Sequence, residues 1–285
     1  MKKVIKHSYL LLLLLMLTIM SGCQVEDIGS YNIGGRIFTK QETNLIYKID
    51  IEWEAGDILI KVGDYDDITV YCLAIGTQHS SINRIRNNTL EIKYCSHKVH
   101  FGGAKKKDIE IHVPKELIAL KEIEIENTSG KVEIEEVTID NISVEMISGE
   151  VYLKNVTAKN IDIETVSSDC VIENVSSEKI EIDSTSGDNN LSGSFEDILI
   201  ESVSGDNAIK SIICPSRINI DSVTGNTLIQ IPENDGFEVR YDIVTGKIYV
   251  KDFSVTINDN YVYKNGLNKI NLEVATGDVT IEMIK

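Results

Sequence analysis

Residues 123–134 read IEIENTSGKVEI, and residues 142–153 repeat the pattern as ISVEMISGEVYL. Each copy alternates apolar and polar residues, carries an acid, and reaches a hydroxyl-glycine pair before a second apolar run. Eight copies are present, and their turn pairs are Ser129-Gly130, Ser148-Gly149, Ser167-Ser168, Ser186-Gly187, Ser204-Gly205, Thr224-Gly225, Thr245-Gly246 and Thr276-Gly277. The turn residue recurs every 19 positions from 130 to 187, and the later intervals are 18, 20, 21 and 31. A period near 20 indicates one supersecondary unit stacked on copies of itself.

A unit of 19 residues has room for two strands and two turns but not for a helix. The repeat therefore predicts an all-β fold, a β-solenoid similar to a parallel β-helix, with one rung per repeat. Glycine relieves backbone strain at the turn and the hydroxyl satisfies a local amide, so the turn pairs are interpreted as corners and not as nucleophiles. Residues 49–60 fit the same template, with Ile51, Glu52 and Gly56 in the places of Ile125, Glu126 and Gly130, and they add a ninth rung.

The beginning of the chain has the features of a targeting segment. Lysines at positions 2, 3 and 6 precede an unbroken apolar run from residue 10 to residue 20, which is too short to span a bilayer. Met20-Ser-Gly-Cys23 follows and resembles a bacterial lipobox. We expect residues 1–22 to be a lipoprotein signal peptide, and Cys23 to be the lipidated N-terminus that anchors the protein at the outer face of the bacterial cytoplasmic membrane. An ordinary secretory signal with an incidental cysteine is the alternative.

The remaining chain is predicted to form a tether and one domain. Residues 23–45 lack a clear period and are interpreted as the tether. Residues 46–285 are interpreted as the solenoid domain, with an irregular cap section at 61–113 and regular rungs at 120–285. The chain ends directly after a strand signal, so the last rung is expected to be uncapped and able to pair with another chain.

The charge of the mature chain restricts its partners. From Cys23 onward there are 25 Lys and Arg against 45 Asp and Glu, a net charge of −20. Nucleic acid requires a basic face and is excluded as a partner. Anionic lipid headgroups or wall polymers are also disfavoured, unless a divalent cation mediates the contact.

The repeats carry a family resemblance. The run IEIHVP at 109–114, the copy at 123–134 and the recurring Ser-Gly-x-Val corners resemble the adhesin-like β-solenoid domains of unknown function in bacterial envelope lipoproteins. The resemblance extends over nearly the whole mature chain, including Gly266 and the run from Ile270 to Ile281. It implies a β-solenoid fold and an adhesin-like function.

Every regular copy has an acid four or five residues before its corner. These acids are Glu126, Glu145, Glu164, Asp183, Glu201, Asp221, Asp242 and Glu273. In a solenoid they would stack on one face, where they could bind divalent cations or a cationic partner. A solvated face that discourages aggregation is the alternative interpretation. A less uniform second set of acids follows the corners, at Glu150, Asp169, Asp188, Asp206 and Asp278.

The cysteines and histidines give weaker indications. A disulfide between Cys72 and Cys95 is possible in an extracytoplasmic protein. His97, His100 and His112 lie near Cys95 and could ligate zinc, although their spacing fits no zinc motif and surface or strand-end histidines are the alternative. Cys170 occupies the apolar column of Val132 and Val151 and is interpreted as a buried small hydrophobe.

Aromatic and basic residues complete the candidates. Four tyrosines outside the regular pattern could form a sugar-stacking patch or cover an end of the solenoid, namely Tyr241, Tyr249, Tyr261 and Tyr263. A solenoid polysaccharide lyase would need a basic residue beside clustered acids, and the repeats offer Arg217 and Arg240 for that role.

The combined prediction is a non-catalytic, lipid-anchored scaffold without a cofactor, which presents a repeat surface to a protein or cell-wall glycan. It would act as an adhesin-like scaffold or an envelope-stress accessory. A carbohydrate-active enzyme built on a solenoid and a cation-dependent adhesion module are the alternatives.

Overall fold

The computed structural model describes residues 36–73, 81–94 and 106–284. Its elements are β1 (Arg36–Ile37), α1 (Lys40–Thr43), β2 (Lys48–Trp53), β3 (Ile58–Gly63), β4 (Thr69–Leu73), β5 (Ser81–Arg86), β6 (Thr89–Tyr94), β7 (Asp108–Pro114), β8 (Glu122–Glu135), β9 (Thr138–Lys154), β10 (Thr157–Ser186), β11 (Asn189–Ser204), β12 (Asn207–Ser211), β13 (Arg217–Thr224), β14 (Thr227–Ile231), β15 (Gly236–Thr245), β16 (Ile248–Val250), β17 (Thr256–Ile257), β18 (Tyr261–Lys264), β19 (Asn268–Thr276) and β20 (Val279–Met283). No helix in these ranges is long and apolar enough to cross a membrane.

The chain winds into a β-solenoid, which confirms the predicted fold class. Each regular rung has a first side, represented by 122–129, a second side, represented by 131–135, and a short third side, represented by 137–140. Successive rungs pair in parallel, as β8 does with β9 and β9 with β10. The rung at 49–60 is also confirmed, since β2 and β3 both pair in parallel with β8.

The core is built by alternation along each strand. On the first side the inward residues form a continuous column that is almost fully shielded from water, made of Ile51, Ile125, Val144, Ile163, Ile182, Ile200, Ile220 and Leu272. Cys170 lies beside Val151 and is fully buried, as predicted. Because the period of a strand is two, the outward positions of the same strands are left for charged residues.

Glycine is required at the corner between the first and second sides because the rungs approach closely there. Gly205 has a φ of +132°, and a Cβ at that position would lie 2.0 Å from the carbonyl oxygen of Gly187. The next corner repeats the geometry, since a Cβ on Gly225 would lie 1.9 Å from the oxygen of Gly205. A side chain at these positions would separate the rungs.

The N-terminal end of the solenoid is closed by additional strands. On the first side β6 pairs in parallel with β2, and β5 pairs antiparallel with β6. On the second side β7 pairs in parallel with β3, and β4 and β1 follow in antiparallel orientation. The irregular section therefore covers the first rung.

The predicted tether is corrected from Arg36 onward. Residues 36–37 form β1, Phe38 is fully buried, and α1 is capped by reciprocal hydrogen bonds between Thr39 and Glu42. Ile68 donates its amide proton to the hydroxyl of Thr43 at 3.3 Å. A capping box followed by few apolar residues produces a single helical turn, which is too short for a visible 3.6-residue period. Residues 23–35 lie outside the described ranges.

The C-terminal rungs are not stacked in chain order. β19 pairs in parallel with β13 on one side and with β15 on the other, and β20 lies in the same way between β14 and β16. The last repeat of the chain is therefore inserted beneath residues 236–250. The expectation of an uncapped last rung at residue 285 is corrected, because the exposed end of the solenoid is the rung of β15 and β16.

The hairpin β17–β18 covers part of that end. Its second strand pairs antiparallel with residues 236–239 of β15. Below it, Phe237, Phe253 and Tyr263 pack against one another with ring centroids 5.0 to 5.4 Å apart. Phe237 is fully shielded by this arrangement. These three residues, called the aromatic plug below, close the distal end of the core.

Candidate functional site

The acids that precede the corners form one continuous column on the first side, called the carboxylate strip below. Register pairs join its members in spatial order as Glu52, Glu126, Glu145, Glu164 and then Asp183, Glu201, Asp221, Glu273, Asp242. Glu164 and Asp183 belong to consecutive turns of β10, 19 positions apart. The predicted column thus exists, with Glu52 added and with the last two members exchanged by the insertion of β19.

The central carboxylates of the strip are half-buried. They stand on a flat parallel sheet, where the residue above and the residue below shield each side chain from water. Burial, followed by the charges of neighbouring carboxylates, raises the pKa of Glu126 and Glu145. Burial, followed by the charges of neighbouring carboxylates, also raises the pKa of Glu164 to about 7.

A second acidic column runs beside the strip, two residues earlier in each strand. Glu124 and Asp162 belong to it, and burial followed by a neighbouring carboxylate raises the pKa of Asp162. Further along the same column, Glu181 forms an ion pair with Lys179. The first side is therefore acidic over a width of two columns between residues 122 and 183, except at Ser143, which occupies the second column in β9.

Basic residues lie at the margins of this area. Lys93 pairs with Glu52 at the N-terminal end of the strip, and Lys48 pairs with Glu122 at 2.8 Å and with Glu124. Within the described ranges, no Lys, Arg or His forms an ion pair with Glu126, Glu145 or Glu164. The centre of the strip therefore carries carboxylates without a counter-charge.

The strip does not have the geometry of a point metal site. In the part of the chain that the structure describes, no three His, Cys, Asp or Glu side chains are grouped so that they could hold an ion. A column with one carboxylate per rung instead spreads its charge along a line, with about 4.8 Å between strands. This arrangement suits an extended partner better than a single ion.

The second set of acids stabilises the corners. The side chain of Asp188 accepts the backbone amide proton of Asp206 at 2.8 Å, and Asp206 in turn accepts that of Asn226 at 2.7 Å. Asp278 accepts the amide proton of Lys247 at 2.9 Å. Each of these side chains bonds a backbone amide of the neighbouring rung at an exposed corner, so this set is explained by the fold. Glu150 departs from the pattern and forms an ion pair with Lys131 at 3.2 Å.

The tyrosines outside the regular pattern do not form one patch. Tyr263 is buried in the aromatic plug, and its hydroxyl lies 2.7 Å from a carboxylate oxygen of Glu233. Tyr241 and Tyr261 approach each other with centroids 5.5 Å apart at the distal end, and Tyr249 is exposed on β16. The arrangement favours the interpretation that they cover the end of the solenoid.

The arginines proposed for a lyase site are held in ion pairs. Arg217 donates to Asp197 on the neighbouring rung, at 2.8 Å from Nε, and Arg240 donates to Glu238 at 3.1 Å. Neither pair belongs to a cluster of acids that could bind a metal ion within the described residues. The requirement for a basic residue beside clustered acids is not met by these two side chains.

The histidine and cysteine predictions fall mostly outside the described residues. Cys95, His97 and His100 are among the residues not described, so the disulfide with Cys72 and a zinc site stay predictions. His112 stacks on the ring of Tyr65 with centroids 4.4 Å apart, and its Nε2 lies 2.7 Å from Glu110. The side chain of His112 therefore belongs to the surface of β7.

A buried polar ladder escaped the sequence prediction. The side-chain amide of Asn189 donates to the side-chain oxygen of Asn207 at 2.9 Å, and Asn207 donates to Ser202 at 3.2 Å. Ser202 and Ser222 are also joined, at 3.1 Å. These residues occupy inward positions where the template elsewhere has apolar side chains. The polar residues at these positions are visible in the sequence. They were not recognised as a ladder because the repeat template was defined by its corners.

Three solved structures are similar to the chain at 13–16% identity. Among solved structures, the "putative cell adhesion protein" of Clostridium sporogenes ATCC 15579 is 14% identical, with 88% of this chain and 98% of that chain covered and a TM-score of 0.28. The "putative lipid binding protein" of Parabacteroides distasonis ATCC 8503 is 13% identical, with 88% and 96% covered and a TM-score of 0.49. The "putative adhesin" of Bacteroides fragilis NCTC 9343 is 16% identical, with 90% and 98% covered and a TM-score of 0.42. Likenesses of this size do not indicate a shared ligand or partner.

No curated protein matches the chain. A family model described as Toastrack DUF4097 matches residues 46–282, which span the solenoid from just before its first rung to the end of β20. The chain therefore belongs to the Toastrack DUF4097 family.

Proposed function

We propose that this protein is a non-catalytic scaffold, anchored by a lipid on Cys23 at the outer face of the bacterial cytoplasmic membrane. Its carboxylate strip would bind a row of ammonium groups, carried by a basic protein segment or by an amine-bearing cell-wall glycan. The observation that supports the proposal is the run of half-buried carboxylates at Glu126, Glu145 and Glu164, which have no counter-charge among the described residues.

Electrostatic repulsion provides the driving force for such binding. Two unit charges about 5 Å apart in water repel by roughly 0.8 kcal/mol, and partial burial increases this value. A partner with regularly spaced cations would remove the repulsion along the whole strip. Because the strands are held in register by the corners, the strip is already ordered before the partner arrives, which lowers the entropic cost of binding.

The lipid anchor is supported by the sequence around Cys23 and can be tested directly. Cells that express the chain would be grown with an alkyne analogue of palmitate, and the purified protein would be examined for the label. We expect the label on the wild-type chain and its loss in Cys23→Ser, together with release of that variant from the membrane fraction. Equal labelling of both chains, or no labelling of either, would contradict the anchor.

The binding surface can be tested with a matched pair of variants. Glu145→Gln with Glu164→Gln removes two charges from the strip, and Glu178→Gln with Glu196→Gln removes two exposed charges from the third side. The probe is an oligolysine peptide, titrated by calorimetry at low and at physiological salt. We expect the strip variant to lose about tenfold in affinity, equivalent to about 1.4 kcal/mol, and the control variant to lose less than about twofold. Equal losses would show attraction to net charge alone and would reject the strip as the site.

The same pair of surfaces can be examined in cells. A photo-crosslinking residue at Asp162, beside the strip, would be compared with one at exposed Glu178 on the third side. The proposal expects a product at Asp162 that disappears in the Glu145→Gln, Glu164→Gln background. A product that forms equally from both positions would contradict a preferred first side.

A further inference from the structure

Among the described residues, most of the large exposed hydrophobic side chains lie toward the ends of the solenoid, and Ile212 and Ile213, between β12 and β13, are the exceptions on an inner rung. Between residues 122 and 211, all of which the structure describes, no large hydrophobic side chain is exposed. At the N-terminal end four are exposed by half or more, namely Ile37 at 69%, Leu45 at 57%, Tyr47 at 50% and Ile118 at 81%. We call these four residues the proximal patch. Apolar side chains that are exposed together often mark a surface of contact.

The proximal patch belongs to the segments that close the first rung. Ile37 lies in β1, the outermost strand of the second side, and Leu45 and Tyr47 lie between α1 and β2. Ile118 lies in the turn between β7 and β8. This turn is fastened beside Tyr47, because Lys121 donates its amide proton to the carbonyl oxygen of Tyr47 at 2.8 Å. The exposed side chains are therefore displayed by ordered backbone.

The net charge of the protein is distributed very unevenly along the solenoid. Residues 23–121 contain 13 Lys and Arg and 14 Asp and Glu, a net charge of −1. Residues 122–284 contain 11 Lys and Arg and 31 Asp and Glu, a net charge of −20. Repulsion from anionic lipid headgroups is therefore a property of the regular rungs and not of the N-terminal end.

We propose that the proximal patch rests on the surface of a lipid bilayer, so that the solenoid stands on its N-terminal end. This inference rests on the lipid anchor of the proposed function. From Cys23 to Arg36 the chain spans at most about 45 Å at 3.3–3.6 Å per residue, so the anchor keeps the N-terminal end near the bilayer. Ile37, one residue past that connection, brings the apolar side chains to the lipid.

Electrostatics then sets the orientation of the rod. The rungs from residue 122 onward are repelled by an anionic bilayer, and this repulsion acts over a Debye length of about 8 Å at physiological salt. A rod that lay flat would bring one whole side of these rungs within that distance, whereas an upright rod keeps all three sides away. About ten strand spacings of 4.8 Å would place the aromatic plug some 48 Å from the surface.

Binding of the unlipidated chain to vesicles tests the patch independently of the anchor. The chain from residue 23 with Cys23→Ser would be sedimented with vesicles made of equal parts of phosphatidylethanolamine and phosphatidylglycerol. Leu45→Ser with Ile118→Ser removes two side chains from the patch, and Val244→Ser with Ile257→Ser removes two exposed ones from the distal end. We expect the first variant to bind about tenfold more weakly and the second to bind within about twofold of the parent.

The orientation is tested on the lipidated protein in vesicles that contain brominated lipid, which quenches tryptophan at short range. The natural Trp53 is buried and supplies a constant background. We expect additional quenching in Ile118→Trp and none in Ile257→Trp. Equal quenching of both would indicate a rod that lies flat and would overturn the proposal.

The remaining outcomes separate this inference from the proposed function. Loss of palmitate labelling would remove the anchor, whereas the sedimentation assay would still report on the patch. Normal labelling with unchanged vesicle binding of the Leu45→Ser, Ile118→Ser variant would overturn the patch alone. If that variant instead dissociated a dimer in analytical ultracentrifugation, a second copy of the chain would be the occupant, and contact with lipid would be rejected. Thermal unfolding of each variant verifies that it remains folded.

Discussion

Asn271 donates a hydrogen bond from its side-chain amide to the side-chain oxygen of Asn219, at 2.7 Å and across 52 positions of sequence. The same separation joins Asp278 to Asn226, whose side chain accepts the amide proton of Asp278 at 3.1 Å. These contacts follow from the insertion of the last repeat beneath residues 236–250. The excursion at 236–264 thus forms the distal end of the solenoid and is held there by the rung that follows it in sequence.

The aromatic plug is expected to hold this distal end together. Phe253 is nearly fully buried between Phe237 and Tyr263, and truncation of a buried Phe to Ala typically costs about 3–5 kcal/mol. We predict that Phe253→Ala loosens β15 and β18 while the central rungs keep their protection. Hydrogen exchange measured by mass spectrometry would resolve the two regions.

Ile257→Ala serves as the control for the plug, because Ile257 is 62% exposed on the same hairpin. We expect it to change exchange by the equivalent of less than about 0.5 kcal/mol. Similar exchange in both variants, or a loss of protection spread evenly over all rungs, would show that the plug has no local role.

The free energy of unfolding should be sensitive to the removal of one side chain from the buried polar ladder. Asn207→Ala removes one hydrogen bond of Asn189 and one of Ser202, so that Asn189 keeps its bond to Ser184 and Ser202 keeps its bond to Ser222. The loss of two buried hydrogen bonds at about 0.5–1.5 kcal/mol each should lower the free energy of unfolding by about 1–3 kcal/mol. Urea denaturation followed by circular dichroism measures the change.

The adjacent Asn190 supplies the control for the ladder. Its side chain is exposed on the second side, and we expect Asn190→Ala to change the free energy of unfolding by less than about 0.5 kcal/mol. If both variants lost the same stability, the ladder would contribute no more than a surface amide.

The corner glycines are predicted to tolerate no side chain. Gly205→Ala would place a methyl group 2.0 Å from the carbonyl oxygen of Gly187 at a φ of +132°. The two rungs would have to separate, and we expect a loss of more than about 3 kcal/mol or failure to fold. Ser204→Ala, at the exposed neighbouring position, should change stability by less than about 0.5 kcal/mol in the same denaturation assay. A Gly205→Ala protein with normal stability would contradict the close approach of the rungs.

The period of the sequence predicted the solenoid, its corners and the alignment of the carboxylate strip. These features depend on spacing alone, because one period places equivalent residues above one another in every rung. The rung at 49–60 was visible for the same reason. Spacing also identified Cys170 as a core residue, since its column contains Val132 and Val151.

The order of the last rungs was not accessible from the period. Residues 236–250 and 268–283 both match the template, so either could pair with the rung at 217–231. The order is associated with long-range packing, in which Phe237 and Phe253 bury each other only when their rung is outermost. The structured segment from Arg36 was missed for a related reason, because Phe38 is buried through long-range packing and its amide is bonded to the carbonyl oxygen of Ile68, just before β4.

The carboxylate strip should make stability depend on pH near neutrality. Burial, and then the neighbouring carboxylates, raise the pKa of Glu164 from 4.5 to about 7 in the folded protein. A raised pKa means that the folded state binds the proton more tightly than the unfolded state. Its contribution to stability is therefore present below pH 4.5 and is lost as the pH rises through about 7. The wild-type protein should become less stable between pH 5 and pH 8.

Replacing Glu164 by glutamine removes the ionisable group and keeps the shape of the side chain. We predict that Glu164→Gln is more stable than wild type at pH 8 by about 1 kcal/mol, a value reduced for solvent screening, and nearly equal to it at pH 4.5. The stability of the Glu178→Gln variant, which changes an exposed residue, should vary with pH in the same way as that of wild type. Urea midpoints across this range provide the measurement, and a Glu164→Gln curve parallel to that of wild type would contradict the prediction.

Part of the pH dependence should persist in Glu164→Gln. Burial also raises the pKa of Glu126 and Glu145, and these groups change stability with the same sign. Glu238 has the opposite sign, because hydrogen bonds from Lys269 and Arg240 lower its pKa to about 2. Its contribution is lost only as the pH falls through that value, well below the range of the strip. Asp50, Glu54 and Asp162 also have a pKa raised by burial, so measurements between pH 5 and pH 8 report on the strip together with these groups. The residual slope of Glu164→Gln therefore measures the combined effect of burial and repulsion on the remaining carboxylates.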